Sequence, residues 1–147
     1  MKKQISRALL GLAATLALAV AAGAQHLPAV SVNVPFDFVA GGKQLPAGRY
    51  NVRRVRSDSE TSLLIRSEDG REAAIILTNT GETNPGAAAF VFRQHSESYF
   101  LAEVSMPGAA SVRELPRTGA ERRLERELAE QKKSDESKTV TVVGSVQ

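Results

Sequence analysis

The stretch VPFDFVAGGKQLPAGRYNV, residues 34–52, fits three interpretations: a phosphate-binding loop, a plain turn, or the start of a binding surface at Arg49. A phosphate-binding loop needs glycines that lead into a helix beginning with Lys-Ser or Lys-Thr. In this chain Lys43 is followed by Gln44, and an alternating, strand-like pattern comes next. The phosphate-loop interpretation is therefore excluded.

The same stretch has the pattern of two short strands joined by a turn. Residues 36–38 and 50–52 alternate apolar and polar side chains, and GGKQLPAG connects them. Pro46-Ala47-Gly48 suits a tight turn, because proline presets φ at the first corner and glycine tolerates positive φ. We predict a β-hairpin between these two segments, and we interpret the hairpin as scaffold.

The alternation continues on both sides of the hairpin and predicts an all-β domain over residues 25–116. Six strand segments are expected, at residues 30–38, 50–55, 63–65, 73–78, 88–94 and 98–104. Arg53-Arg54 interrupts the alternation of its strand, which indicates a β-bulge. Short links, such as Asp69-Gly70, predict an antiparallel meander. Such a meander forms either a small barrel or a two-layer sandwich, and we favour the barrel because meanders close readily.

The residue composition of the chain changes after residue 116. Thr118 and Glu121 form the capping-box pattern that starts a helix, and a run of helix-forming residues follows. We predict a charged amphipathic helix over residues 117–133, with a narrow apolar stripe and loose docking on the β domain. Residues 134–147 are a polar linker followed by an alternating segment that is either a last strand or a free tail.

The N-terminus has the pattern of a cleaved signal peptide at residues 1–24. A basic start precedes an apolar run of about 13 residues, which is short of the roughly 20 that a spanning helix needs. We therefore expect an exported protein, periplasmic or extracellular, with no membrane insertion after cleavage. The chain has no cysteine, which excludes disulfides and thiolate chemistry.

The basic isoelectric point does not indicate nucleic-acid binding. Lys2, Lys3 and Arg7 belong to the signal peptide, so cleavage leaves 16 of the 19 basic residues against 16 acidic ones. The mature chain is then formally neutral, and no nucleic-acid partner is predicted.

The sequence offers no catalytic or metal-binding motif. With two histidines and no cysteine, no metal site and no cofactor are predicted. His95 lies beside Ser96 and Glu97 in a predicted turn, where we expect it to be solvated rather than part of a catalytic triad. A spatially assembled pair of carboxylates, as in a glycoside hydrolase, is not visible in a sequence, but the chain lacks tryptophan to stack a sugar.

Arginines are concentrated around the predicted second to fourth strands. A guanidinium fork suits carboxylate or phosphate, so the cluster is a candidate anion-binding patch, with a solvated face balanced by neighbouring carboxylates as the alternative. Its members are Arg49, Arg53, Arg54, Arg56, Arg66 and Arg71.

This chain combines four sequence features: the hairpin stretch, SYFLAEV at residues 98–104, and MPG and RELP before a charged helix. This combination resembles a family of small exported bacterial proteins without an assigned activity. The resemblance covers most of residues 30–130 and implies no catalytic or binding residue. Val104-Ser105-Met106 stands where the resemblance leads us to expect an aromatic side chain.

Composition and resemblance together indicate a non-enzymatic exported β module that binds an unknown protein or small molecule. The alternative is a structural subunit that assembles through its C-terminal segment, and a carboxylate-based hydrolase is the third hypothesis.

Overall fold

The computed structural model describes residues 30–56, 58–82, 86–109, 111–131 and 138–146. The predicted signal peptide and residues 134–137 of the predicted linker lie outside these residues. Within them, no helix is long and apolar enough to cross a membrane.

The first of two β-sheets has five strands. They are β1 (Val30–Val34), β4 (Gly48–Arg56), β5 (Ser59–Ser67), β6 (Ala73–Leu77) and β12 (Ser145–Val146). Their order across the sheet is β12-β1-β4-β5-β6, and every neighbouring pair is antiparallel. The register shifts between Arg54 and Arg56, which confirms the predicted bulge in this strand.

The second sheet has seven strands. They are β2 (Phe38–Ala40), β3 (Lys43–Leu45), β7 (Asn79–Thr80), β8 (Ala89–His95), β9 (Ser98–Ser105), β10 (Arg113–Glu114) and β11 (Lys138–Val143). Five run in the order β11-β8-β9-β10-β7, while β2 pairs with β3 and, in parallel, with β9.

The two sheets enclose one apolar core. Both contribute fully buried side chains, among them Val52 and Ile65 from the first sheet and Phe38, Phe90 and Phe92 from the second. The all-β prediction is confirmed, and of its two forms the sandwich is correct. The preference for a barrel is wrong, because the described strands form two sheets and close no barrel.

The chain crosses between the sheets several times, which explains why the meander does not close. After β1 it enters the second sheet for β2 and β3, and it returns to the first for β4. Pro35 precedes β2 and Pro46 follows β3. Proline has no backbone N–H to donate to a β-ladder, so it is compatible with the positions at which the chain leaves a sheet.

The stretch contains a β-hairpin, but it is formed by β2 and β3 and is not the predicted one. Residues 50–52 belong to β4 and pair with β1 in the other sheet, so the predicted pairing with residues 36–38 is wrong. The tight turn is at Gly41 and Gly42, where φ is 59° and 90°, whereas Gly48 begins β4 with φ 158°. The stretch connects the two sheets, and Tyr50 fixes that connection by donating a hydrogen bond of 2.6 Å from its hydroxyl to the carbonyl of Pro46.

The turn at Gly41 and Gly42 gives a testable pair of substitutions. A Cβ at Gly41 would lie 2.9 Å from Cγ2 of the buried Ile76, whereas a Cβ at Gly42 would meet no atom within 4 Å. In both alanine variants the left-handed backbone conformation is expected to reduce the free energy of unfolding by about 1–2 kcal/mol. Gly41→Ala is expected to lose more, because it also displaces Ile76. Urea unfolding of the two variants tests this, and an equal or larger loss in Gly42→Ala would contradict it.

Helix α1 (Gly119–Glu130) lies between β10 and β11 in the chain, within the predicted range of 117–133. The backbone N–H of Glu121 donates to Thr118 Oγ1 at 3.1 Å, which confirms the predicted N-cap. Helix α1 buries Glu121 and Leu128, whereas Ala120 is exposed. The segment after the linker forms β11 and β12, so it is not a free tail.

Candidate functional site

Two groups of polar side chains stand out in the fold. One is a buried cluster under helix α1, and the other is the set of arginines on the five-stranded sheet. We call the first the His95 cluster, which consists of Arg93, His95, Arg117, Glu121 and Glu125.

Strand β8 supplies two members of the His95 cluster. Side chains alternate across a strand, so Arg93 and His95 share one side while Phe92 points to the opposite side, into the core. His95 is 1% exposed, and its ring meets the Phe100 ring edge-on at 5.8 Å. The side of β8 that faces away from the core is therefore shielded from solvent at His95.

Helix α1 supplies two further members. Glu121 and Glu125 are four residues apart, so they lie on the same side of the helix one turn from each other. The Thr118 cap fixes the start of the helix and so the height of Glu121 above the strand.

The contacts within the cluster are short and mutual. Arg93 donates to both carboxylate oxygens of Glu121, from Nε at 2.6 Å and from Nη2 at 3.1 Å. Nε2 of His95 lies 3.3 Å from Glu121 Oε1 and 3.4 Å from Glu125 Oε1. Arg117 Nε lies 3.3 Å from the same Glu125 oxygen. One ligand atom from each of His95, Glu121 and Glu125 can be chosen so that all three lie within 4.8 Å of one another.

Glu121 is ionised in this arrangement. Its carboxylate is 1% exposed, and burial alone raises the pKa of such a group. The hydrogen bonds and positive charge of Arg93 outweigh burial, with smaller contributions from His95 and the backbone of Thr118, so the pKa of Glu121 is below its ordinary value. A buried anion held by a bidentate arginine is a strong tether between helix and sheet.

The prediction of a solvated His95 is wrong. The turn between β8 and β9 consists only of Ser96 and Glu97, since His95 still pairs with Ser98 in the ladder. Ser96 has φ 55°, which permits so tight a turn. The signal that the sequence did contain is the spacing Arg-x-His, which places two polar side chains on one side of a strand opposite a buried phenylalanine.

The six predicted patch arginines do not share one surface. Arg49, Arg53 and Arg66 lie on the outer side of the five-stranded sheet, since Tyr50, Val52 and Ile65 fill the inner side. Beyond Arg53 the strand places Arg54 opposite Leu63, a residue of the core. Arg56 forms a salt bridge with Asp58 at 2.8 Å, and Arg71 lies 3.6 Å from Asp69.

Arg53 and Arg66 line a shallow hollow of about 440 Å³ on this outer side. Neither guanidinium group forms an ion pair or hydrogen bond with the part of the chain that the structure describes. The carboxylates of the hollow have cationic neighbours already: Glu68 lies 3.6 Å from Arg49, and Asp69 accepts from Ser67 Oγ at 2.6 Å besides its contact with Arg71. The hollow therefore offers two uncommitted guanidinium groups.

Asn51 lines the hollow together with Arg66, its direct partner across the β4–β5 ladder. Its Oδ1 atom is buried and has no hydrogen-bond partner among the described residues. Buried polar atoms in folded proteins are normally paired, so an unpaired one adjoining a hollow is consistent with a bound group that has a donor.

Comparisons with protein-family models, with curated proteins and with solved structures give no match. The functional argument therefore rests on the geometry of these two sites.

Proposed function

We propose that this protein is a non-enzymatic, exported β-sandwich module that binds an anionic small molecule or an anionic group of a partner in the hollow of the five-stranded sheet. The observation that carries the proposal is the pair of uncommitted arginines, Arg53 and Arg66. The ligand class is a carboxylate or a phosphate, the two anions whose geometry matches guanidinium groups.

The ladder geometry supports a shared ligand. Arg53 pairs with Leu64 and Asn51 pairs with Arg66, so the two arginines are diagonal neighbours across β4 and β5. Diagonal positions in an antiparallel pair lie about 7–8 Å apart, within reach of long side chains. Two like charges so placed repel each other, and an anion between them relieves the repulsion.

The His95 cluster supports a non-enzymatic role. A general acid needs a raised pKa, and the pKa of the buried Glu121 is lowered instead. Each glutamate of the cluster is also held by an arginine, which suits a structural tether more than proton transfer.

The assembly hypothesis is the second candidate, and it has less support. The segment that was expected to pair with another chain pairs within its own: β11 with β8 and β12 with β1. Strand β11 is at the edge of its sheet, where Val143 is 66% exposed. A second chain would have to add at that edge.

Anion binding is tested by titrating the protein separately with inorganic phosphate and with succinate. The Nε–H signals of Arg53 and Arg66 in ¹⁵N-correlated NMR spectra are expected to shift with one of the two. Arg53→Gln and Arg66→Gln are each expected to weaken that binding by about tenfold or more, since a hydrogen bond to a charged group is worth about 1.5–3 kcal/mol.

Arg126→Gln is the matched control, because Arg126 is exposed on helix α1, away from the hollow. Absence of any shift at Arg53 and Arg66, or equal weakening in the control, would refute the anion site. The exported state is tested separately by sequencing the N-terminus of the secreted protein, which is expected to begin at Gln25.

A further inference from the structure

We propose that His95, Glu121 and Glu125 form a binding site for one divalent transition-metal ion, with Zn²⁺ as the ion that fits best. The proposal is independent of the anion site. It adds a ligand-binding role to a cluster that otherwise only tethers helix α1 to strand β8.

Two of the three spacings between the ligand atoms match those of a tetrahedral centre. Nε2 of His95 lies 3.3 Å from Glu121 Oε1 and 3.4 Å from Glu125 Oε1. With metal–ligand bonds of about 2.0–2.1 Å, atoms at the corners of a tetrahedron lie about 3.3–3.4 Å apart. Each of the three groups offers a ligand atom within 4.8 Å of the others, which is close enough for one ion to bridge them after the carboxylates adjust.

The donor set decides which ion is expected. Imidazole nitrogen and carboxylate oxygen are both ligands of Zn²⁺, whereas Ca²⁺ and Mg²⁺ prefer oxygen ligands only. For binding, His95 must present the lone pair of Nε2 and carry its proton on Nδ1.

The surroundings match those of a metal site with outer-shell support. Arg93 donates to both oxygens of Glu121, including the Oε1 atom counted as a ligand, and Arg117 contacts the Oε1 atom of Glu125 that also faces His95. Outer-shell partners of this kind fix the orientation of ligands. Their positive charges also lower the affinity for a cation, so we expect binding that is specific but weaker than in sites without arginine.

Access to the site runs past Glu125. His95 and Glu121 are 1% exposed, whereas the Glu125 side chain is 25% exposed. Water can therefore reach one side of the site and complete the fourth coordination position, as in zinc sites with three protein ligands.

The test is calorimetric titration of the full-length, chelator-treated protein with Zn²⁺, followed by Co²⁺ substitution and visible absorption spectroscopy. We expect one ion per chain, a raised Tm with Zn²⁺, and the intense visible bands of tetrahedral Co²⁺. Glu125→Gln is expected to reduce affinity by more than the ~10–100-fold that loss of an outer-shell partner costs. Glu125→His, which restores a ligand, is expected to keep the ion and the Co²⁺ bands.

Two controls separate this site from others. Glu127→Gln, on an exposed part of the same helix, is expected to bind Zn²⁺ as the unaltered protein does. His26→Ala removes the only other histidine of the chain and is also expected to leave binding unchanged. Failure of the protein to bind Zn²⁺, unchanged affinity in Glu125→Gln, or loss of binding in His26→Ala would each overturn the proposal.

Discussion

Replacement of Glu121 by alanine is expected to reduce the free energy of unfolding by about 3 kcal/mol, the lower end of the range for breaking a buried ion pair. The substitution leaves the guanidinium of Arg93 and the ring of His95 without the carboxylate between them. The lower end applies because Arg93 is 20% exposed and regains some hydration. Urea unfolding in the presence of a chelator measures the loss.

A double substitution shows whether the loss comes from the unpaired charge. A buried ion pair replaced by apolar residues of similar size is often neutral in stability. Arg93→Met combined with Glu121→Leu is therefore expected to be more stable than Glu121→Ala alone. Glu127→Gln serves as the control, since exposed substitutions change stability by about 0.5 kcal/mol or less. A loss below 1 kcal/mol in Glu121→Ala would contradict the tether.

Replacement of Phe92 by alanine is expected to cost about 3–5 kcal/mol, as for other large aromatic side chains removed from a core. Phe92 is fully buried, and its ring packs edge-on against Phe36 at 5.1 Å and Phe38 at 5.3 Å. These two rings come from the stretch that connects the sheets, so the cavity would open where the connection meets the second sheet. The loss would appear in the midpoint of urea unfolding.

Ile75→Ala is the matched control for Phe92→Ala. Ile75 is also an apolar strand residue, but it is 65% exposed on β6. Its truncation is expected to change stability by about 0.5 kcal/mol or less. If Phe92→Ala and Ile75→Ala reduced the free energy of unfolding by similar amounts, Phe92 would not be a core residue, and the prediction would be wrong.

The faces of single strands could largely be predicted from the sequence. Period-two alternation places Phe90 and Phe92 on one face of β8, and both are fully buried. Strand β9 departs from the pattern, because the register shift between β8 and β9 places Leu101 opposite Phe92 and brings it into the core. Alternation predicts Leu101 on the opposite face from Val104, but both are core residues. This bulge depends on how β8 and β9 pair, and β9 has no interruption of its apolar residues, such as Arg53-Arg54 in β4, that would indicate it.

The sequence by itself determined the β class, the bulge near Arg54, the start of helix α1 at Thr118 and the absence of thiol chemistry. These features depend on residue types and on spacings of a few positions along the chain. The tertiary structure alone decided that the sheets form a sandwich, that residues 36–38 and 50–52 do not pair, and that His95 is buried against Glu121. His95 and Glu121 are 26 positions apart. Their contact exists because helix α1 packs over β8. That packing depends on residues distant in the chain, so the sequence around His95 or around Glu121 does not indicate it.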